Sequence, residues 1–384
     1  MSAPLDIVVL GLSLRSSWGN GHATTYRALI EALGERGHRV LFLERDMPWY
    51  AQNQDAPDSL PGRLEVYASL DELDDRHADA VAQADLVIVG SYVPDGIAVG
   101  EWAQSVARGV VAFYDIDTPV TLARLAREDC EYLHPRLIPG YALYLSFTGG
   151  PTLQKLEREY RAPLARPLYC SADPRRYGPS PENVRFDLGY MGTYSDDRQP
   201  GLERLLFEPA RAWSAGYFVV AGPQYPAGVR WPPNVHRIEH LAPDKHRRFY
   251  NEQRFTLNLT RADMVAAGWS PSVRLFEAAA CATPIISDAW PGLEAFFVPG
   301  QEILIARSGS DVVRWIRDMP EARRRRIGEA ARHRVLNEHT AAHRAQALER
   351  YFAEAAAQRR RTRVPARAGR DRGEAGAAPV ASGA

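Results

Sequence analysis

The stretch that decides the fold runs from residue 5 to residue 46: LDIVVLGLSLRSSWGNGHATTYRALIEALGERGHRVLFLERD. Residues 5–12 are a continuous apolar run, as expected of a strand buried on both faces. After a small polar loop, Tyr26, Leu29, Ile30 and Leu33 recur at i, i+3, i+4 and i+7, the period of a helix with one apolar face. That helix stops at Gly37, and residues 40–43 form a second apolar run. Strand, crossover helix and strand make a βαβ unit, which implies a parallel sheet.

The same alternation continues outward. Further strands are expected at 86–90, 110–114, 141–147 and 168–171, with a helix at 151–160. The stretch ADPRRYGPSPENVR, residues 172–185, then breaks the pattern and reads as a linker. Beyond it, strands are expected at 188–192, 217–221, 235–238, 255–259, 284–287 and 303–306, with helices at 201–213 and 272–281. Residues 311–357 read as wholly helical. Residues 358–384, rich in Arg, Ala and Gly, are expected to be disordered. The fold class is therefore α/β, with two doubly wound domains at 1–171 and 186–357 facing a cleft. Ligands in such sheets bind beyond the carboxyl ends of the strands.

The chain has 47 Lys+Arg against 47 Asp+Glu in 384 residues. The tail 358–384 holds seven Arg and two acids, a net of +5, so residues 1–357 carry −5. A mildly acidic body argues against a nucleic-acid partner held by a basic field. No apolar run reaches the ~18–20 residues of a membrane helix, so no transmembrane segment is expected. The N-terminus lacks the marks of a signal peptide, and Cys130, Cys170 and Cys281 are scattered, which suggests a reduced cytoplasmic setting. The only lysines are Lys155 and Lys245, so phosphate recognition falls to Arg, hydroxyls and backbone amides. A Walker A loop, which needs Gly-Lys-Ser/Thr, is excluded.

Four segments carry candidate chemistry. In the first loop, Gly19 and Gly21 allow close backbone approach, and His22 opens a helix. Thr24 replaces the third glycine of a dinucleotide fingerprint, which argues against NAD. His22 reads either as a solvated first-turn residue or as a catalytic one. Asp115 and Asp117 end a buried strand, with one expected to cap the helix near Pro119 and the other to face the cleft. In GYMGTYSDDR, residues 189–198, Gly192, Thr193 and Arg198 suit a diphosphate, the alternative being a surface pair of Asp196 with Arg198. Finally, Ser270-Pro271-Ser272 reads as a helix start with a hydroxyl cap and Pro in the first turn. Arg274 and Glu277 follow on one helical face and could form a salt bridge with each other. From Ser272 to Glu277 is about 7.5 Å at 1.5 Å per residue, roughly the span from a bound phosphate to a ribose.

The segment RLFEAAACATPIISD, residues 274–288, resembles the donor-site helix of GT-B glycosyltransferases, closest to the CgeB-like branch related to glycosyltransferase families 1 and 4. WGNGHATTYRALIEALGERGHRVLFLERD, DIDTPVTLARL and GYMGTYSDDR are similar to that branch too, so the resemblance spans residues 5 to about 350. It implies two Rossmann-like domains and a nucleotide-diphosphate sugar as co-substrate, held mainly by the second domain. Glu277 would hold the ribose, while Ser272, Arg274, Gly192, Thr193 and Arg198 would surround the diphosphate. Gly19, Gly21 and His22 would face the acceptor and the transferring sugar. The terminal helices would cross back onto the first domain.

Two positions depart from the pattern: Trp269 stands where family 4 has the first Glu of its E-x7-E signature, and Ala282 replaces a glycine. Gly21-His22 resembles the family 1 arrangement, in which a histidine is the general base. That reading pairs His22 with Asp115 or Asp117. The expected activity is metal-independent sugar transfer, with no resident cofactor, to an acceptor that is a saccharide, a small molecule or a protein. A non-catalytic saccharide- or nucleotide-binding assembly protein and a nucleotide-sugar epimerase are the alternatives.

Overall fold

The computed structural model describes residues 3–17, 22–56 and 62–363. Gly19, Gly21 and residues 364–384 of the basic tail lie outside the described residues.

Among the described residues, seven strands form the first sheet: β1 (Asp6–Gly11), β2 (Arg39–Arg45), β3 (Arg63–Tyr67), β4 (Leu86–Gly90), β5 (Val110–Asp115), β6 (Leu143–Ser146) and β7 (Ala165–Pro167). Six form the second: β8 (Phe186–Met191), β9 (Phe218–Ala221), β10 (Val235–Ile238), β11 (Gln253–Asn258), β12 (Ile285–Ser287) and β13 (Leu304–Ile305). All pairings are parallel. The orders are β3-β2-β1-β4-β5-β6-β7 and β10-β9-β8-β11-β12-β13. Each is doubly wound, and each reverses direction between its first and fourth strands, the place where such sheets open a ligand crevice.

The continuous apolar runs have a direct cause. In β1 and β4, Ile7, Val9, Leu86 and Ile88 pack into a core on one face, and Val8, Leu10, Val87 and Val89 into a core on the other. Helices cover both faces, so every residue of β4 is buried.

Several expectations need correction. Residues 168–171 do not form the last strand of the first sheet, which lies earlier at Ala165–Pro167. Leu168, Cys170 and Ala172 are apolar because they are buried where the chain crosses between domains. The helix expected at 201–213 runs from Gln199 to Ala212 and contains a π-helical turn at Glu203–Phe207. The C-terminal region is three helices, Gly309–Asp318, Glu321–Glu338 and Ala341–Arg363. Helix therefore continues past residue 357, where disorder was expected, and Gln358 donates to the carbonyl of Pro163 at 3.1 Å.

The last helix returns to the first domain, as the resemblance implies, and lies on the helix His22–Glu35. Its Glu349 receives Arg36 and His38, and its Glu354 receives Arg166. The two crossings meet in the backbone: Ala172 N donates to His339 O and Ala341 N to Ala172 O, both at 3.2 Å. Near the cleft the domains touch again. Gly149 N donates to Trp269 O at 3.0 Å, and the Thr148 and Ser270 hydroxyls lie 2.8 Å apart. Trp269 sits with φ of 44° against Gly150, whose own φ is +57° and where a Cβ would strike the indole. The tryptophan that breaks the E-x7-E signature is thus a packing contact between domains.

Candidate active site

A cavity of about 320 Å³ opens at the carboxyl end of the second sheet, and Ser17 and Thr24 of the first domain line its far side. Its second-domain wall includes Gly192 and Thr193 after β8, Gly222 and Pro223 after β9, Arg198, Arg274 and Glu277. The loops after β8 and β9 lie in contact, and Gly192 N donates to Ala221 O at 2.8 Å. Gly222 has φ of +148°, and a Cβ there would collide with the carbonyl of Gly192. Only glycine allows that approach.

Arg274 lies in the first turn of the helix Val273–Ala280 and is buried, at 8% exposure. Its Nε donates to the carbonyl of Met191, and its Nη1 donates to Asn258 Oδ1 at 3.1 Å. The guanidinium stands 5.0 Å from the centre of the Tyr190 ring. Among the described residues no carboxylate pairs with it. A buried cation whose partners are all neutral keeps its charge for an incoming anion.

The hydroxyl of Ser272, the N-cap residue, does not cap this helix but donates to Asn258 Oδ1 at 2.7 Å. Pro271 precedes the cap instead of standing in the first turn. Val273 and Arg274 present the helix start to the cavity, where the helix dipole favours negative charge.

Glu277 is buried one turn further along and accepts the Tyr250 hydroxyl at 3.0 Å. Burial and the charge of Glu277 hold the Tyr250 pKa well above its ordinary value, so this phenol stays a donor. The alternative salt bridge of Glu277 with Arg274 does not form, because Arg274 reaches toward the end of β8. Arg198 Nη2 donates to Thr193 O at 2.7 Å, and its Nε is buried without a hydrogen-bond partner. The alternative pair with Asp196 is also not formed, since Asp196 accepts the Tyr194 hydroxyl. Ser270 is not brought to this cavity: it lies in the domain contact with Thr148.

The first domain faces the cleft with different chemistry. Asp115 is fully buried, and its carboxylate accepts Tyr144 Oη at 2.7 Å, Thr121 Oγ1 at 2.8 Å and Asp117 N at 3.2 Å. Burial raises its pKa to about 6, against the lowering effect of those donors. Asp117 is the N-cap residue of the helix Thr118–Ala126 but makes no side-chain cap. Its Oδ2 accepts Tyr92 Oη at 3.0 Å, while its Oδ1 is buried without a hydrogen-bond partner. Of the two aspartates, Asp117 is the one that approaches the second domain, its Oδ2 lying 3.5 Å from Arg261 Nη1.

His22 opens the helix His22–Glu35. Its ring stacks on Tyr92 at 6.2 Å and 17°, with Phe147 edge-on at 6.3 Å. Burial lowers its pKa to about 4, so the ring is neutral near pH 7. His22 and Asp117 therefore share a neighbour, Tyr92, which one stacks on and the other hydrogen-bonds. Sequence reasoning missed Tyr92, Tyr250, Asn258 and Arg261. Three of them stand at or just past strand ends, so the strand-end rule was the available signal. Among the described residues no three His, Cys, Asp or Glu side chains cluster to hold a metal ion. No helix among them is long and apolar enough to cross a membrane.

Comparison with known proteins agrees with this architecture. Residues 198–350 match a family model described as glycosyl transferase-like. A sucrose-phosphate synthase from Thermosynechococcus elongatus has a similar structure, with a TM-score of 0.65 at 15% identity, over 92% of this chain and 99% of that one. HepE from Anabaena, solved in complex with UDP-glucose, gives 0.64 at 12% identity, over 91% and 100%. An alpha-glucosyltransferase in complex with UDP gives 0.68 at 12% identity, over 90% and 99%. No curated protein matches the sequence. The fold is GT-B: two Rossmann-like domains with the crevice ends of their sheets facing each other.

Proposed function

We propose that this chain is a glycosyltransferase that moves a hexosyl group from a UDP-sugar to a hydroxyl of its acceptor, without a metal ion. The observation that carries the reading is the convergence of Gly192, Thr193, Arg198, Arg274 and Glu277 on one cavity. The diphosphate lies against the start of the helix Val273–Ala280, with Arg274 and Arg198 on either side. One and a half turns on, Glu277 accepts from the ribose hydroxyls. The glycosidic C1–O bond to the β-phosphate breaks, and the negative charge that develops there meets two guanidiniums and a helix dipole.

Asp117 Oδ1 takes the proton of the acceptor hydroxyl as the new C1–O bond forms, and the nucleoside diphosphate leaves. Neutral His22, weakened as a base by burial, orders Tyr92 and through it Asp117. UDP is the favoured nucleotide because HepE and the alpha-glucosyltransferase are solved with it. The resemblance of its motifs to the CgeB-like branch supports membership of that branch, and three free cysteines suit a reducing cytoplasm.

The test is calorimetric binding of UDP, followed by UDP release from a panel of UDP-hexoses. Micromolar UDP binding and release from one member are expected. Failure to bind any nucleoside diphosphate would end the reading.

A further inference from the structure

We infer that Arg261 is a positioning residue of this reaction: reaching across the cleft, it clamps one oxygen of Asp117 so that the other is presented to the acceptor. The inference rests on the glycosyl-transfer reading above. Arg261 follows β11 in the second domain and is the N-cap residue of the helix Ala262–Ala267. Its Nη1 lies 3.5 Å from Oδ2 of Asp117 in the first domain, and its Nε lies 3.8 Å from Oδ2 of Asp197. That Nε is buried without a hydrogen-bond partner.

Both separations exceed the 2.7–2.9 Å of a tight charge-assisted bond. The structural ion pair Arg15–Glu44, for comparison, closes to 2.8 Å. Nor does Arg261 hold the domains together by itself, since the Thr148–Ser270 and Gly149–Trp269 bonds join them independently. What Arg261 does control is Asp117. Tyr92 and Arg261 both take Oδ2, which leaves Oδ1, buried in this structure, as the carboxylate oxygen without a hydrogen-bond partner. Asp197, the other carboxylate beside Arg261, directly precedes Arg198 of the donor cavity. One arginine thus links the acceptor-side carboxylate to the diphosphate side.

The groups acting on Asp117 are Arg261 and Arg124, which favour its ionised form, Tyr92, which donates to it, and Asp263 and the neighbouring Asp115, which oppose ionisation. His22, neutral and stacked on Tyr92, adds no charge.

The ionisation of Asp117 can be read without turnover, from the carboxyl infrared difference between each protein and its Asp117→Asn partner. Arg261→Gln should raise the midpoint by about one pH unit, the shift expected when a facing guanidinium is lost. Arg261→Lys, which keeps the charge, should restore most of it. In the same variants UDP affinity should stay within about twofold of wild type, while UDP release from the UDP-hexose that the wild type uses falls at least tenfold in Arg261→Gln. An unmoved midpoint, or a loss of UDP affinity equal to the loss of rate, would overturn the role of Arg261. A wild type that binds no nucleoside diphosphate would instead overturn the underlying reading.

Discussion

The two sheets share a strand order through their first six strands, yet the side chains at their carboxyl ends differ. The second sheet ends on arginines: Arg274 and Arg198, neither paired with a carboxylate among the described residues. The first ends on carboxylates ringed by phenols: Asp115 with Tyr144, and Asp117 with Tyr92. Topology decides where a ligand can enter each sheet. The loop side chains decide which charge it meets, and so, in the proposed reaction, which half would hold a diphosphate and which would handle a proton.

That division is open to direct attack. The largest effect is expected from Asp117→Asn, which removes the proposed proton acceptor and leaves the arginines intact. UDP release from the preferred UDP-hexose should fall by about 100-fold or more, roughly 3 kcal/mol in the barrier. UDP affinity, measured by calorimetry, should hardly change; an equal loss in both would erase the distinction between the halves. The wild-type rate should also rise with pH through the midpoint of Asp117. Burial raises that midpoint above the ordinary carboxylate value, so the acid limb should lie higher than for an exposed aspartate.

Arg274→Met is the converse experiment. Losing a buried guanidinium that lines the proposed diphosphate site should weaken UDP binding by about 2–3 kcal/mol, the upper range for hydrogen bonds to charged groups. Preserved UDP affinity would make Arg274 a purely structural tie between β8 and β11. Glu277→Gln should cost less, about tenfold in UDP affinity or 1.4 kcal/mol, because the amide oxygen can still accept but without charge assistance. The comparison is uridine alone, where the same fold loss is expected since the ribose is retained.

The smallest effect belongs to His22→Ala. A few-fold loss of rate is expected, with the pH–rate profile between 6 and 8 keeping its shape, because a histidine of pKa about 4 does not titrate there. A limb near pH 6.5 that vanishes in this variant would transfer the proton role from Asp117 to His22.

Much of this was legible in the sequence, for physical reasons that can be named. Strands buried on both faces advertise themselves as unbroken apolar runs, which is why β1, β4 and β5 were found. β3 (RLEVY) lies at an edge, mostly half-exposed, and carries no such run. Residues 168–171 misled because burial at a domain crossing leaves the same apolar mark as burial in a sheet. On the donor side, Gly192, Thr193, Arg198, Arg274 and Glu277 lie in two local motifs, and the structure brings all five to one cavity. Their partners were hidden because the contacts are remote: Tyr250 reaches Glu277 across 27 positions, and Arg261 reaches Asp117 across 144. Helix spacing suggested that Glu277 and Arg274 could pair. It could not foresee that Met191 O and Asn258 would claim the arginine first.

The meeting of the two chain crossings at Ala172, His339 and Ala341 has a mechanical consequence. The donor half is tethered to the other half at both of its ends, and the tethers are laced to each other by backbone bonds and by Arg344, which donates to the carbonyls of Tyr169, Cys170 and Glu338. Held there and again at the Gly149–Trp269 and Thr148–Ser270 contacts, the two halves are joined at two separate places. Any change in the gap between Arg261 and Asp117 must therefore strain one joint or the other.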